Sequence, residues 1–148
     1  MTDAEASEYA AANLVGYIEE RVAAGERPEE ARRLSEQQLE TVFPGGRPAP
    51  GQRVYTVVDD GGAAVGSIWI GPRTSANADD YWVWNVEIAE DARGRGLGRA
   101  AMVLAEQEAR GAGATSLGLN VFGANAVARG LYESLGYATT SLQMRKPL

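Results

Sequence analysis

Three arginines and three glycines occur within seven residues, Arg93 to Arg99, and a run of helix-forming residues follows. The segment lies between a predicted strand and a predicted helix, whose first amides lack intrahelical acceptors and carry a partial positive charge. Glycines let the backbone bend sharply and let an anion approach those amides. The spacing therefore favours a phosphate-binding turn, and a glycine-rich bend with a solvated basic face is the alternative that it leaves open.

The glycine spacing does not fit two other phosphate motifs. Glycines at 94, 96 and 98 do not match the G-x-G-x-x-G pattern of dinucleotide-binding folds. No Gly-Lys-Ser/Thr sequence follows them, so the segment is not a P-loop.

The composition removes most of the usual catalytic groups. The 148 residues include no cysteine and no histidine, which excludes thiolate nucleophiles, disulfides, cysteine metal sites and histidine bases. Carboxylates, tyrosines, hydroxyls, backbone groups or a bound cofactor must then carry any chemistry, and we expect no metal.

The net charge of −6 argues against a nucleic-acid partner. No apolar run approaches the roughly 18 residues that cross a bilayer, and the acidic first 20 residues do not resemble a signal peptide, so we expect a cytoplasmic, single-domain protein over 1–148.

The periodicity of apolar residues predicts a mixed α/β fold. Helices are predicted over 3–24, 28–43, from the arginine–glycine turn to about 111, and over 125–135. A hairpin is predicted over 53–71, and further strands over 81–89, 115–122 and 137–146. In the first helix, Ala11, Val15, Ile18 and Val22 recur at helical spacing. The order ααβββαβαβ indicates a mixed, mostly antiparallel sheet flanked by helices.

Two motifs in register resemble those of a known family. The first is Arg/Gln-x-x-Gly-x-Gly/Ala at the mouth of a helix, and the second is an Asn-led helix ending in Leu-Tyr-x-x-x-Gly-Phe/Tyr. The matching residues here are Arg93, Gly96, Gly98, Asn125, Leu131, Tyr132, Gly136 and Tyr137. Over about 86–148 the chain resembles the GNAT superfamily of acetyl-CoA-dependent N-acetyltransferases.

The resemblance implies acetyl-CoA as cosubstrate and a set of residues that bind it. The pyrophosphate would rest on the amides of the turn. The residues of that turn are Arg93, Gly94, Arg95, Gly96, Leu97, Gly98 and Arg99. The pantetheine arm would pair with backbone groups of Val86 and Ile88 as an added strand, where the sheet splays apart, and a backbone amide near Val86 would stabilise the developing oxyanion.

The resemblance also implies catalytic roles for side chains. Tyr132 becomes the general acid that protonates the leaving thiolate, although the residues alone favour a core tyrosine. Glu87 is the candidate base, and a solvent-facing strand residue is an equal alternative. Asn125 would contact the CoA arm, cap its helix, or do both. Asn120, at the end of its strand, is a further candidate for the same cleft.

The chain departs from the family pattern at its start. Family members usually begin with a strand, and here a helical pattern begins at about residue 3, so the first strand is expected to be absent or reduced. The sheet would then have an exposed edge. Either a second subunit in a homodimer covers this edge, or a first strand lies upstream of the sequence given. Trp69, Trp82 and Trp84 either line an acceptor pocket or fill the core, and the strand spacing favours the core for at least two of them.

The function expected from the resemblance is acetyl transfer from acetyl-CoA to a primary amine in a ternary complex. The acceptor would be a small molecule or a peptide amine, and the acidic surface mildly favours a cationic one. A non-catalytic acyl-CoA-binding module on the same fold remains the alternative. Acetylation of aminoacylated tRNA requires a basic surface, which the net charge of −6 disfavours.

Overall fold

The computed structural model describes residues 1–146, which form four helices and four strands. The helices are α1 (Asp3–Ala23), α2 (Pro28–Val42), α3 (Leu97–Gly111) and α4 (Ala126–Ser134). The strands are β1 (Arg53–Val58), β2 (Ala64–Thr74), β3 (Asn77–Ile88) and β4 (Ser116–Leu119). Within this range no helix combines the length and the apolarity that a membrane span requires.

The four strands form one mixed sheet in the order β1-β2-β3-β4. β1 pairs with β2, and β2 with β3, in antiparallel fashion, whereas β3 and β4 run parallel. The register between β2 and β3 shifts after Trp69, where Trp84 is the extra residue of a bulge on β3. A mixed, mostly antiparallel sheet with flanking helices was predicted from the sequence, and this fold class is confirmed.

Two hydrophobic clusters lie on opposite faces of the sheet because side chains alternate along each strand. Trp69 and Val54 pack with Phe43 and the helices α1 and α2 on one face. Ile70 packs with Met102 of α3 on the other face, and both side chains are fully buried. Burial of each such side chain contributes about 1.5–3 kcal/mol, so α3 is held firmly against the strands that carry the site.

The hairpin between β2 and β3 is longer than expected. The sequence predicts a polar loop after residue 71 and a third strand only from residue 81, but β2 continues to Thr74 and β3 begins at Asn77. The extra residues are mostly exposed. Polar residues are tolerated there because the end of the hairpin projects beyond the core.

The aliphatic stripe of α1 does not form the buried face of this helix. Ala6 and Ala10 are the buried residues of this helix, and Val15 of the predicted stripe is 61% exposed. Tyr9, adjacent to Ala10, is hydrogen-bonded to side chains of β2 and β3, and these bonds hold this face of the helix against the sheet. The inward face therefore combines the small side chains of Ala6 and Ala10 with the aromatic and polar side chain of Tyr9.

The final strand predicted over 137–146 does not form in the described residues, which show no strand after β4. This segment is largely exposed, with Leu142 at 79% and Met144 at 91%. Nη1 of Arg145 donates a hydrogen bond to the carbonyl of Gly25, so the segment reaches the α1–α2 connection instead of the edge of β4. A pattern of β-branched and polar residues favours a strand only where a partner strand lies beside it.

Candidate active site

The arginine–glycine segment forms a sharp turn between β3 and α3. One turn of 3-10 helix, Glu90–Ala92, precedes it. Gly94 and Gly96 have φ angles of 76° and 79°, in the left-handed region that favours glycine. A Cβ atom on either residue would meet nothing within 4 Å. The two glycines are thus required by the backbone conformation, and the space beside them is open.

The N-terminus of α3 has free amide donors. Gly96 stands at the N-cap, so no side chain of that residue closes this end of the helix. The first backbone bond of the helix joins the amide of Ala100 to the carbonyl of Gly96 at 3.0 Å. The amides of Leu97, Gly98 and Arg99 come before it and have no intrahelical acceptor. Three donors at the positive end of a 15-residue helix suit an anion.

All three arginines of the turn have partners in the protein. Nε of Arg93 donates to the carbonyl of Ile88 at 2.9 Å. The guanidinium of Arg95 lies 3.4 Å from a carboxylate in the β1–β2 turn, and that of Arg99 donates to a hydroxyl on α4. The arginines therefore fasten the turn to its neighbours, in addition to supplying positive charge.

The sheet opens beside the C-terminal half of β3. Parallel pairing of β3 with β4 ends at Val83 and Leu119. The amide of Ala89 donates to the carbonyl of Val65 in β2 at 2.8 Å. Backbone groups alternate in direction along an antiparallel strand. The amides and carbonyls of Val86 and Ile88 are consequently directed away from β2, toward the side where β4 has ended.

A cleft of about 930 Å³ lies at this opening. It is bounded by α1, the open half of β3, the residues after β4, and α4. The predicted site residues that line it are Val86, Glu87, Ile88, Arg93, Gly98, Asn120, Asn125 and Tyr132. The other predicted residues, Gly94, Arg95, Gly96, Leu97 and Arg99, lie on the adjoining turn and first turn of α3.

Tyr132 is a half-buried residue of α4 on the wall of the cleft. Its ring centroid lies 6.0 Å from that of Tyr137 in an edge-on arrangement. Burial raises the pKa of the Tyr132 hydroxyl, so the hydroxyl keeps its proton at neutral pH. The ring packs against the core and the residue also lines the cleft. Tyr132 is therefore compatible with both predicted roles, a core residue and a site residue.

Two carboxylates face the cleft. Glu87 is an exposed residue of β3, and Glu20 is an exposed residue near the end of α1. Partial burial, followed by the negative charge of Glu87, raises the pKa of Glu20. The two side chains are therefore close enough to influence each other.

The asparagines occupy the rim on the side of α4. Oδ1 of Asn125 accepts a hydrogen bond of 3.0 Å from the amide of Ala128, so the side chain caps α4 while the residue also lines the cleft. Asn120 follows β4 directly and lines the same cleft.

The three tryptophans differ in environment. Trp69 is buried and packs against Trp84, with ring centroids 5.7 Å apart. Trp82 is half-buried, and the guanidinium of Arg73 lies 4.4 Å from its ring centroid. All three line the cleft, so the two alternatives, core and pocket, apply together.

The individual residues of α1 that line the site are not predicted from the sequence. Tyr9, Asn13, Tyr17 and Glu20 line the cleft, and their spacing of three to four residues places them on one helical face. The hydroxyl of Tyr9 accepts a hydrogen bond of 2.5 Å from Nδ2 of Asn85 on β3. In the sequence these residues form a polar and aromatic stripe beside the aliphatic stripe of the same helix.

Comparison with known proteins agrees with this architecture. Residues 13–137 match the Acetyltransferase (GNAT) family. The uncharacterized N-acetyltransferase YdgE of Bacillus subtilis is 30% identical over 100% of this chain and 95% of its own. The uncharacterized N-acetyltransferase YycN of the same organism is 32% identical over 89% of this chain and 85% of its own.

Solved structures show the same fold. The crystal structure of YycN superimposes with a TM-score of 0.84 at 31% identity, covering 100% of this chain and 95% of that chain. The structure of AAC(6')-Iy in complex with the bisubstrate analogue CoA-S-monomethyl-acetylneamine has a TM-score of 0.55 at 15% identity, covering 84% and 83% of the two chains. At that identity the second likeness concerns the fold alone.

Proposed function

Because this chain belongs to the acetyltransferase (GNAT) family, we propose that it transfers the acetyl group of acetyl-CoA to a primary amine by direct attack in a ternary complex. The observation that carries the proposal is the open half of β3, which lies between the uncapped N-terminus of α3 and the cleft wall bearing Tyr132. The acceptor is a small molecule or a peptide amine, and the expected location is the cytoplasm.

The turn fits a diphosphate. The amides of Leu97, Gly98 and Arg99 would donate to its oxygens, and the left-handed glycines Gly94 and Gly96 leave open space beside the backbone. Arg93, Arg95 and Arg99 surround this point with positive charge, which strengthens hydrogen bonds to an anion.

The open edge of β3 fits an extended amide-containing arm. The free amides and carbonyls of Val86 and Ile88 would pair with it as a neighbouring strand would. The carbonyl of Ile88 already accepts one hydrogen bond from Arg93, and its amide remains for the arm. The amide of Val86 would then face the thioester oxygen, where one such donor lowers a barrier by about 3 kcal/mol.

Tyr132 and Glu87 supply the proton transfers. Glu87, directly or through water, takes one proton from the acceptor ammonium, which frees the lone pair on nitrogen. The nitrogen forms a bond to the thioester carbon as the carbon–sulfur bond breaks, and the sulfur takes the hydroxyl proton of Tyr132. The second proton that the nitrogen loses returns through water to Tyr132, so the products are an amide and a thiol. Asn125 on the rim would contact the CoA arm.

Release of free thiol from acetyl-CoA, measured across a panel of primary amines, tests this function. We expect Tyr132→Phe to lower kcat by about 10²-fold, within the range for loss of a general acid, while the affinity for CoA stays unchanged. Tyr55→Phe is the matched control, because the Tyr55 hydroxyl bonds to Glu108 away from the cleft. Tight CoA binding with no turnover for any amine, and no effect of Tyr132→Phe, would support the non-catalytic module instead.

A further inference from the structure

The part of the cleft between α1 and β3 carries negative charge. Glu20 and Glu87 line it from α1 and β3, and neither carboxylate forms an ion pair within residues 1–146. Arg93 is the cation among the lining residues, but its Nε is bound to a backbone carbonyl at the turn.

The cation next to Glu20 in the sequence is occupied elsewhere. Arg21 forms a salt bridge of 2.7 Å with Glu26, and its Nε also donates to both oxygens of that carboxylate. Nη1 of Arg21 donates to the buried hydroxyl of Ser35 at 3.3 Å. All three nitrogens of this guanidinium donate hydrogen bonds to Glu26 or Ser35, so Arg21 does not neutralise Glu20.

Aromatic rings flank the two carboxylates. Tyr17, one helical turn before Glu20, packs against Phe122 with ring centroids 6.3 Å apart, and the guanidinium of Arg21 lies 5.7 Å from the Tyr17 ring centroid. Trp84 lines the cleft on the side of β3. An aromatic ring beside an open, acidic space attracts an ammonium group. The charge and the aromatic walls independently suit a cation.

We propose that Glu20 binds a second ammonium group of the acceptor, so that the preferred acceptors are diamines or polyamines. This inference rests on the proposed function, in which Glu87 serves the reacting nitrogen. The reacting amine must lose its charge before it attacks, whereas the second ammonium keeps its charge throughout. Glu20 therefore contributes equally to the ground state and the transition state, and its loss raises KM rather than lowering kcat.

The test compares 1,4-diaminobutane with n-pentylamine, a monoamine of similar length, in wild type, Glu20→Gln and Glu19→Gln. Glu19 is the matched control, because it is an exposed acid on α1 outside the cleft lining. We expect wild type to prefer the diamine. Glu20→Gln raises KM for the diamine about tenfold, which corresponds to roughly 1.4 kcal/mol, and leaves kcat and both monoamine constants unchanged. Equal effects on the two amines, or no preference in wild type, would overturn the proposal.

Calorimetry separates this inference from the proposed function. Titration of 1,4-diaminobutane into the complex of the protein with CoA measures acceptor binding without turnover. A dissociation constant about tenfold weaker for Glu20→Gln than for Glu19→Gln supports the role of Glu20 even if no amine is acetylated. Absence of any heat of binding in wild type refutes it, even if monoamines are acetylated.

Discussion

Nε of Arg93 donates a hydrogen bond of 2.9 Å to the backbone carbonyl of Ile88, the last residue of β3. This bond closes the short segment that joins the open edge of β3 to the N-terminus of α3. The two ends of this segment are the parts of the chain proposed to hold the pantetheine arm and the diphosphate. The side chain thus fixes the distance between two binding elements, in addition to any contact with the ligand.

Arg93→Lys is expected to raise KM for acetyl-CoA by about fivefold, since a net loss of roughly 1 kcal/mol accompanies removal of such a hydrogen bond. Lysine keeps the charge but has no Nε–H in the guanidinium geometry. Steady-state kinetics with varied acetyl-CoA measures the effect. Arg32→Lys is the control, because Arg32 forms an exposed pair with Glu36 on α2. Unchanged KM in Arg93→Lys would show that charge alone matters.

Gly96→Ala and Gly98→Ala should change stability in opposite directions. Gly96 has a φ of 79°, where an L-residue costs roughly 1–2 kcal/mol. Gly98 lies inside α3 without that constraint, and an added Cβ would be 3.6 Å from Leu131 and 3.7 Å from Ile88, at ordinary contact distance. Alanine in a helix interior is favoured over glycine by about 0.5–1 kcal/mol.

Urea denaturation of both variants measures the two free energies of unfolding. Gly96→Ala should lower the midpoint and Gly98→Ala should raise it. A rise in both would mean that the turn changes its backbone conformation to accept a side chain at Gly96. A fall in both would mean that α3 does not accommodate a Cβ at Gly98.

The features that the sequence predicts well are those set by neighbouring residues. Pro28 begins α2 as predicted, Asn125 caps α4, and the glycines of the turn lie where β3 gives way to α3. Each of these signals acts within a few positions of the structure that it specifies. The position of the sheet opening followed from the family resemblance rather than from any local pattern.

The features that were missed depend on contacts between distant residues. The face of α1 that lies against the sheet is set by Tyr9, whose partners Ser67 and Asn85 lie 58 and 76 positions away. An aliphatic stripe on that helix could not reveal which face the sheet would bind. The same holds for Glu20, which lines the cleft because it shares the helical face of Tyr9 and Tyr17.

Tyr9→Phe is expected to lower the free energy of unfolding by about 1–3 kcal/mol, the cost of leaving buried polar partners unsatisfied. The Tyr9 hydroxyl is the acceptor for Ser67 at 3.0 Å and for Asn85 at 2.5 Å, and Ser67 is 8% exposed. A double-mutant cycle with Ser67→Ala measures the coupling. Strictly additive effects would contradict the hydrogen bond as the source of the loss.

Tyr137→Phe should leave stability at neutral pH unchanged or improved. The Tyr137 hydroxyl is buried, and neither it nor Oε1 of Glu106 has a hydrogen-bond partner of good geometry in residues 1–146. The neighbouring Glu106 carboxylate forms no well-aligned hydrogen bond with this hydroxyl, so replacing the hydroxyl by hydrogen removes a desolvation cost and breaks no strong bond. Thermal unfolding at pH 7 measures this, and a marked loss of stability would reveal a partner for the hydroxyl.

The same substitution should flatten the alkaline limb of the stability curve. Burial, and then the negative charge of Glu106, raises the pKa of Tyr137 above its usual range. The unfolded chain releases this proton near pH 10, whereas the folded protein keeps it. The contribution of this group to the free energy of unfolding is therefore fully present below about pH 10, and it is lost as the pH rises from there through the folded pKa.

In Tyr137→Phe the free energy of unfolding between pH 9 and about pH 11 should fall less steeply than in wild type. Tyr132→Phe serves as a comparison, since burial raises the pKa of Tyr132 in the same direction. Parallel curves for wild type and Tyr137→Phe would show that this hydroxyl ionises equally in the folded and unfolded states.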